Sequence, residues 1–318
     1  MSIKLTILGC HSATPREAAH PTAQFLEINH RSFLIDCGEG TQMQLRKCKI
    51  KFSSINQIFI SHLHGDHFFG LVGLISTFGL LGRKTDLHVF GPVGIADIIR
   101  LQLKATASYL GFTLLFHELE STQASLIYED DKVAVHTIPL THRVYTNGFL
   151  FREKIGERKL NISAINTYPE IERCDYQNLK NGRDYILEDG TIIDNELLTF
   201  NPLKPLSYAY CSDTAYKPAI VAQLDQTDLL YHESTFLKDK QDLAILTKHS
   251  TAEEAAKIAK AANVGGLILG HYSSRYPNKK MFLAEAQPIF KNVILSEDEK
   301  VITLDNKVPE TLVVAHQN

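Results

Sequence analysis

Ser61-His62-Leu63-His64-Gly65-Asp66-His67 decides how this chain is read. Three histidines and an aspartate crowd together directly after residues 55–60, an apolar run rich in isoleucine that predicts a buried strand. Imidazole suits zinc, and a carboxylate completes or bridges such a site. Packing gives no reason for so many polar groups at one strand end. The plain alternative is a polar loop whose histidines bond to backbone.

Outward from this loop the same arrangement recurs. Residues 31–36 predict a strand ending in Asp36-Cys37-Gly38-Glu39-Gly40, whose glycines turn the chain into residues 41–48. Residues 87–90 predict another strand, followed by a helix from Val93 to about Lys104. Strands are also expected at 132–140 running into His142, at 206–211 ending at Asp213, at 228–231 ending at His232-Glu233-Ser234, and at 264–270 ending at His271. The candidate ligands therefore lie just past C-terminal strand ends, where α/β architectures place their chemistry. The apolar run 68–81, interrupted by glycines, predicts a buried helix behind the histidine loop and is too short to span a bilayer.

Composition bounds the rest. A length of 318 residues suits a single large α/β domain, 1–318, with an insertion. The net charge of −3 excludes a global attraction to polyanions, so any such binding must come from metal or from a local patch. Arg46, Lys47, Lys49 and Lys51 form one candidate patch. The five cysteines are scattered, odd in number and form no CxxC, which predicts reduced thiols. A strand beginning at Ile3 leaves no signal peptide, so a cytoplasmic protein without a membrane partner is expected. Residues 151–200 differ in texture: they are poor in apolar residues, slightly acidic, and carry Asn181-Gly182 and Asp189-Gly190 as hairpin signals. They read as an inserted arm or subdomain.

Two metal sites can be assembled from the candidates. His62 and His64, two apart in an extended stretch, can share one zinc with His142. Asp66 and His67 can take a second zinc with His271, and Asp213 can bridge the pair. Two zinc ions about 3.5–4 Å apart clamp the attacking and leaving oxygens of a displacement. Two zinc ions, two carboxylates and one hydroxide sum to about +1, a charge that welcomes a phosphodiester. Manganese or iron also suits such mixed nitrogen and oxygen donors.

The SHLHGDH motif with downstream His142, Asp213 and His271 resembles the metallo-β-lactamase superfamily. Within it, Asp36-Cys37-Gly38-Glu39-Gly40-Thr41-Gln42, Tyr231-His232-Glu233-Ser234-Thr235-Phe236, His249-Ser250-Thr251 and His271-Tyr272-Ser273-Ser274-Arg275-Tyr276 are similar to ribonuclease Z. The resemblance covers nearly the whole chain. It implies a four-layer αββα sandwich, two zinc ions per chain, a homodimer, and precursor tRNA as substrate. It further implies a cut after the discriminator region that leaves a 3′-hydroxyl on the tRNA and a 5′-phosphate on the trailer. Asp66 is then both a ligand and the proton acceptor that orients water, and His249 helps protonate the departing 3′ oxygen.

Local sequence bears on His249 as well. Ser250 with Glu253, or Thr251 with Glu254, makes a capping box for a helix running through Ala262, with Ala252, Ala255, Ala256 and Ala259 as its small face. The potential at that helix start tends to keep His249 neutral, and a negative substrate opposes the tendency. A hydrogen bond within the capping loop is the plain alternative. His232 and Glu233 support the site in the family, or are an ordinary polar strand end. Arg275 can grip phosphate bidentately or form a surface ion pair. His11, His20, His30, His88, His117, His136 and His316 fit no ligand pattern and read as structural or exposed. The resemblance also implies a basic arm with a Gly-Pro motif that grips the tRNA elbow; residues 151–200 contain no Gly-Pro and lean acidic. The competing readings are a small-substrate metallohydrolase of the same fold (cyclic-nucleotide phosphodiesterase, lactonase or thioesterase) and a metal-free RNA-binding or structural protein.

Overall fold

Phe33, Leu34 and Ile35 are all fully buried, yet consecutive strand side chains point to opposite faces. A sheet with such strands needs cover on both sides. The computed structural model, which describes residues 2–14, 16, 17, 19–305 and 312–316, supplies that cover in four layers.

The chain opens with β1 (Ser2–Gly9), β2 (Ala23–Ile28), β3 (Arg31–Ile35), β4 (Gln57–Phe59), β5 (Leu87–Pro92) and β6 (Leu114–Leu119). Between them run α1 (Thr41–Lys47), α2 (Gly65–Phe68), α3 (Leu71–Leu80) and α4 (Ile95–Ala105). A second sheet starts with β7 (Leu126–Glu129), β8 (Val133–Pro139) and β9 (Asn147–Glu153). After β9 the chain makes an excursion through β10 (Lys159–Leu160), α5 (Ile162–Ile165), α6 (Tyr176–Lys180), β11 (Tyr185–Ile186), β12 (Ile192–Ile193), α7 (Asn195–Leu198) and β13 (Thr199–Phe200). It returns as β14 (Ser207–Cys211), α8 (Val221–Leu224), β15 (Leu229–Glu233), α9 (Gln241–Thr247), α10 (Ala252–Ala261), β16 (Gly266–Gly270), α11 (Lys280–Ala286) and β17 (Val293–Leu295). The strands β18 (Lys300–Asp305) and β19 (Leu312–His316) rejoin the first sheet.

The first sheet has the order β19-β18-β1-β2-β3-β4-β5-β6 and the second β17-β16-β15-β14-β9-β8-β7. From β3 to β6, and from β14 to β17, neighbouring strands are parallel. Their C-terminal ends therefore lie along one edge of each sheet. Phe33, Ile35 and Phe59 face the second sheet and meet Phe149 and Phe151 there; the Phe33 and Phe151 rings lie 5.2 Å apart and those of Phe59 and Phe149 5.4 Å. Leu34, Ile58 and Ile60 face outward and pack with Leu45, Leu74 and Ile99 of the outer helices. Ala252, Ala255, Ala256 and Ala259 give α10 the flat face that packs with the second sheet. The helices outside and the two sheets inside make the α/β sandwich of αββα type.

Several local expectations change. The run 68–81 is broken at Gly70 into α2 and α3, and Leu80 at its end is 87% exposed. Asn181-Gly182 is no hairpin: Asn181 ends α6 and Gly182, at φ 83°, takes the left-handed residue after the helix. Asp189-Gly190 does join β11 to β12. The expected strand 228–231 is β15 and extends through Glu233, so His232 and Glu233 are both strand residues: His232 pairs with Cys211 and Leu269, and Glu233 with Gly270. The excursion after β9 has apolar residues enough for a small cluster of its own, built on Ile165, Ile171, Leu179, Ile193 and Leu198. Among the described residues no helix is long and apolar enough to cross a membrane. The Pro15 residue and the His316 side chain lie outside the described residues.

The break at Gly70 has a steric cause. Its N–H donates to the Cys37 carbonyl at 2.9 Å, and a methyl group on Gly70 would stand 2.1 Å from the Gly38 carbonyl oxygen. The turn after β3 thus rests directly on the start of α3. Gly70→Ala is expected to lower stability by about 1–3 kcal/mol through overpacking. Urea denaturation checks this: the midpoint falls while the slope stays constant, and an unchanged midpoint contradicts the close approach.

Candidate metal centre

Strand ends supply every donor. The extended link after β4 carries His62 and His64, and the first turn of α2 carries Asp66 and His67. The loops after β8, β14 and β16 carry His142, Asp213 and His271. Asp213 and His271 are held at φ 54° and 59°, in the left-handed region, where side chains other than glycine cost energy and strain tends to mark functional sites.

These side chains fall into two groups. His62, His64, His142 and Asp213 offer ligand atoms within 4.8 Å of one another, and so do Asp66, His67 and His271. Asp213 divides its oxygens between them. Its Oδ2 lies 3.6 Å from His62 Nε2 and 3.7 Å from His142 Nε2. Its Oδ1 lies 3.2 Å from both His67 Nε2 and His271 Nε2. Asp66 Oδ2 is 3.5 Å from His67 Nε2 and 3.4 Å from His271 Nε2. Donors held about 2.0–2.2 Å from one ion are about 3–3.5 Å apart at ordinary coordination angles.

The outer contacts of each ring decide which nitrogen faces inward. His67 Nδ1 donates to Asp36 Oδ2 at 2.7 Å, and His142 Nδ1 to the Lys248 carbonyl at 2.9 Å. Ser61 Oγ gives its proton to Asp36 Oδ2 at 2.9 Å, so it accepts from His62 Nδ1 at 3.0 Å. His62 and His142 turn a bare Nε2 toward the others, and His67 turns its Nε2 the same way. His64 Nδ1 faces two of them, His62 Nε2 at 3.0 Å and His142 Nε2 at 3.3 Å, and one proton serves only one contact. His67 Nε2 is buried with no hydrogen-bond partner. Converging lone pairs and a split carboxylate fit a pair of divalent cations, and the nitrogen and oxygen donors fit zinc among them.

Electrostatics agrees with a site built to hold charge. Burial drives His62 well below the usual imidazole range. Burial pulls His67 the same way, but Asp213, Asp66 and Asp36 together push it well above that range. Burial would raise Asp66, yet His67 and His271 hold it far below the ordinary carboxylate range.

His249 stands at the rim. Its Nδ1 lies 2.8 Å from Glu233 Oε1, a fully buried carboxylate. Glu233 also accepts from the Thr214 N–H at 2.7 Å and from the Thr235 hydroxyl, and that hydroxyl lies 2.8 Å from His271 Nδ1. Burial disfavours the charged ring of His249, but Glu233 outweighs it and raises the pKa to about 9. The expected lean toward neutrality is thus reversed. Helix α10 is capped by Thr251 with Glu254, so its N-terminus begins beyond His249, while the carboxylate is in contact. His232 is fully buried and bonds only the Glu233 carbonyl through Nδ1.

A cavity of about 380 Å³ opens over the centre, with His64, Asp66, Asp213, His249 and His271 on its floor and Arg143 and Arg275 in its wall. Arg275 Nη1 bonds the Ser273 hydroxyl at 3.3 Å and no carboxylate. The basic stretch is partly engaged elsewhere, with Lys47 paired to Glu299 and Arg46 over the Phe52 ring. His20 pairs with Asp298, and Cys10, His11 and Asp298 cluster behind His271, whose N–H bonds the Cys10 carbonyl at 2.8 Å. Burial pushes the Cys10 thiol up to about 12, and Lys279 Nζ lies 3.9 Å from its sulfur.

Reading the sequence missed Asp36, Ser61, Tyr210 and Arg143 as parts of the site. The signal for Asp36 was its place at a strand end before a glycine turn. Tyr210 and Ser61 leave no signal, since both act only through that carboxylate.

Three comparisons place the chain among known proteins. A family model described as Anti-Pycsar protein Apyc1 matches residues 3–190. A ribonuclease Z of Bacteroides fragilis is 45% identical over 301 residues, covering 95% of this chain and 99% of that one. The crystal structure of human tRNase Z, short form, superposes with a TM-score of 0.68 at 27% identity, covering 94% of this chain and 98% of that one. The metallo-β-lactamase fold protein YhfI of Bacillus subtilis does so at 0.66 and 18% identity, covering 95% and 99%.

The Asp36 carboxylate orients His67 and, through Ser61, His62. Asp36→Asn keeps its size and removes its charge. Metal affinity is expected to fall about 10–100-fold, the usual cost of losing such a partner. Metal titration followed by calorimetry, with circular dichroism to verify the fold, checks this; wild-type affinity in a folded variant contradicts it.

Proposed function

The chain belongs to the ribonuclease Z family of the metallo-β-lactamase fold and is a metal-dependent endoribonuclease of tRNA 3′ processing, and we propose how its residues carry out the cut. Divalent metal, zinc for preference, would be held by His62, His64 and His142 and by Asp66, His67 and His271, with Asp213 offering an oxygen to each group. When bound, such metal supplies Lewis acidity toward water and toward the phosphoryl oxygens. Asp66 accepts a proton from the attacking water and aims it. As the phosphorus–O3′ bond breaks, His249 gives its proton to that oxygen. The tRNA keeps a 3′-hydroxyl and the trailer leaves with a 5′-phosphate.

The observation that carries this reading is the Glu233–His249 pair beside a donor set split in two. With Nδ1 turned to Glu233, the Nε2 of His249 is the nitrogen left for the cavity. A ring raised to about 9 is protonated at neutral pH, as a proton donor must be. The Apyc1 match ends at residue 190, before Asp213, Glu233, His249 and His271. The ribonuclease Z likeness spans all of them.

The finer setting is also our reading. Four buried free thiols and one exposed support a reducing, cytoplasmic location. Exposed Leu80, Leu81, Leu101 and Tyr109 on and beside α3 and α4 support a homodimer.

A precursor tRNA with a 3′ trailer, assayed across pH, tests the mechanism. Wild type is expected to make a single cut at the acceptor-stem end, and His249→Ala to lower kcat about 10²–10⁴-fold. The donor is present below its pKa and lost above it, so the rate falls on the alkaline side. Glu233→Gln removes the group that raises His249, so that limb is expected to move to lower pH. A limb that stays put, or a His249→Ala enzyme of full activity, contradicts the assignment.

A further inference from the structure

We propose that Arg143 grips the phosphate next to the scissile one, on the mature-tRNA side, so that the centre recognises a polynucleotide strand and not an isolated phosphodiester. The inference rests on the endoribonuclease reading and adds a substrate contact to it.

Arg143 directly follows His142, the ligand that closes the first half-site. Arg275 follows His271, which closes the second, and both arginines line the cavity. One guanidinium thus stands beside each half-site. Arg143 is exposed, and among the described residues no carboxylate or hydrogen-bond acceptor holds it. Its charge reaches His64 and His249 and acts on both. The acids lining the same cavity are Asp66 and Asp213, and both belong to the donor groups of the centre.

An arginine in that position has no resident partner. With the two donor groups filled by cations it faces like charge, which the fold tolerates only because the side chain is solvated. An entering anion changes the balance. A single phosphodiester gives its charge to the centre itself and has none left for Arg143. A strand brings further phosphates on either side of the scissile bond, and the guanidinium fork matches a phosphate bidentately. The side follows from His249. It serves the departing 3′ oxygen, and its ring lies 4.9 Å from that of His142, the chain neighbour of Arg143; His249 and Arg143 line the same cavity, so the phosphate that Arg143 meets belongs to the nucleotide that leaves with the tRNA. This local grip also answers how a chain of net charge −3, with an acidic excursion after β9, holds RNA.

The test is the salt dependence of precursor-tRNA cleavage by the metal-loaded enzyme. For Arg143→Ala, KM is expected to rise about tenfold with kcat nearly kept, and the slope of log(kcat/KM) against log salt to flatten by about 0.7, one phosphate contact on a single strand. Arg143→Lys keeps the slope, because a point charge still meets the phosphate, and recovers part of KM. A precursor with an uncharged methylphosphonate linkage 5′ of the discriminator nucleotide raises KM for wild type and not for Arg143→Ala. An unchanged slope in Arg143→Ala, or a fall in kcat at constant KM, overturns the proposal while wild-type cleavage leaves the endoribonuclease reading standing. Wild type that cuts no precursor overturns both.

Discussion

One buried carboxylate organises this molecule. Asp36 ends β3 at φ 57°, is fully buried, and accepts four hydrogen bonds: from the Ser61 N–H at 2.7 Å, the Ser61 hydroxyl at 2.9 Å, His67 Nδ1 at 2.7 Å and the Tyr210 hydroxyl at 2.6 Å. A buried charge is tolerated only when its acceptor sites are filled. Here they are filled from both halves of the sandwich, since Ser61 lies in the link after β4 of the first sheet, His67 in α2, and Tyr210 in β14 of the second sheet. The carboxylate that orients two rings of the metal centre is therefore also a tie between the layers.

The rest of the site repeats this logic at increasing distance. Glu233 does for His249 what Asp36 does for His67, accepting from Nδ1, but His249 lines an open cavity while His67 is fully buried among the donors. Thr235 links Glu233 to His271, so the proton donor and the second half-site share one support. Asp213 and His271 depend on left-handed backbone that their loops hold in place. The centre is stiff for a physical reason: the inward-facing nitrogens of His62, His67, His142 and His271 are each opposed by an outer bond that fixes the ring.

Much of this was legible in the chain. Strand ends could be read because buried parallel strands are continuous apolar runs, and the residue that breaks such a run is visible. That is how Asp213 and His271 were reached from a histidine loop far away in sequence, while His142 follows β8, an antiparallel strand whose apolar residues alternate. The arrangement into two groups followed from the alternation of His62 and His64 and from the turn at Gly65. What could not be read was the partner of each group. Nothing in Ser61 or Tyr210 announces a hydrogen bond to Asp36, since the contacts join residues 25 and 174 positions apart. The pull of helix α10 toward a neutral His249 was visible locally, and the opposing carboxylate of Glu233, from another strand, was not. Gly182 was misread because an Asn-Gly pair serves a helix end as well as a hairpin.

The proposed mechanism requires Asp213 to offer one oxygen to each of two cations. Anomalous diffraction at the zinc edge from crystals of the metal-loaded protein measures this directly. Two peaks about 3.5–4 Å apart, one within bonding distance of each Asp213 oxygen, are the expected result. A single peak, or two with Asp213 on one side of both, would contradict a centre built in two halves around that carboxylate.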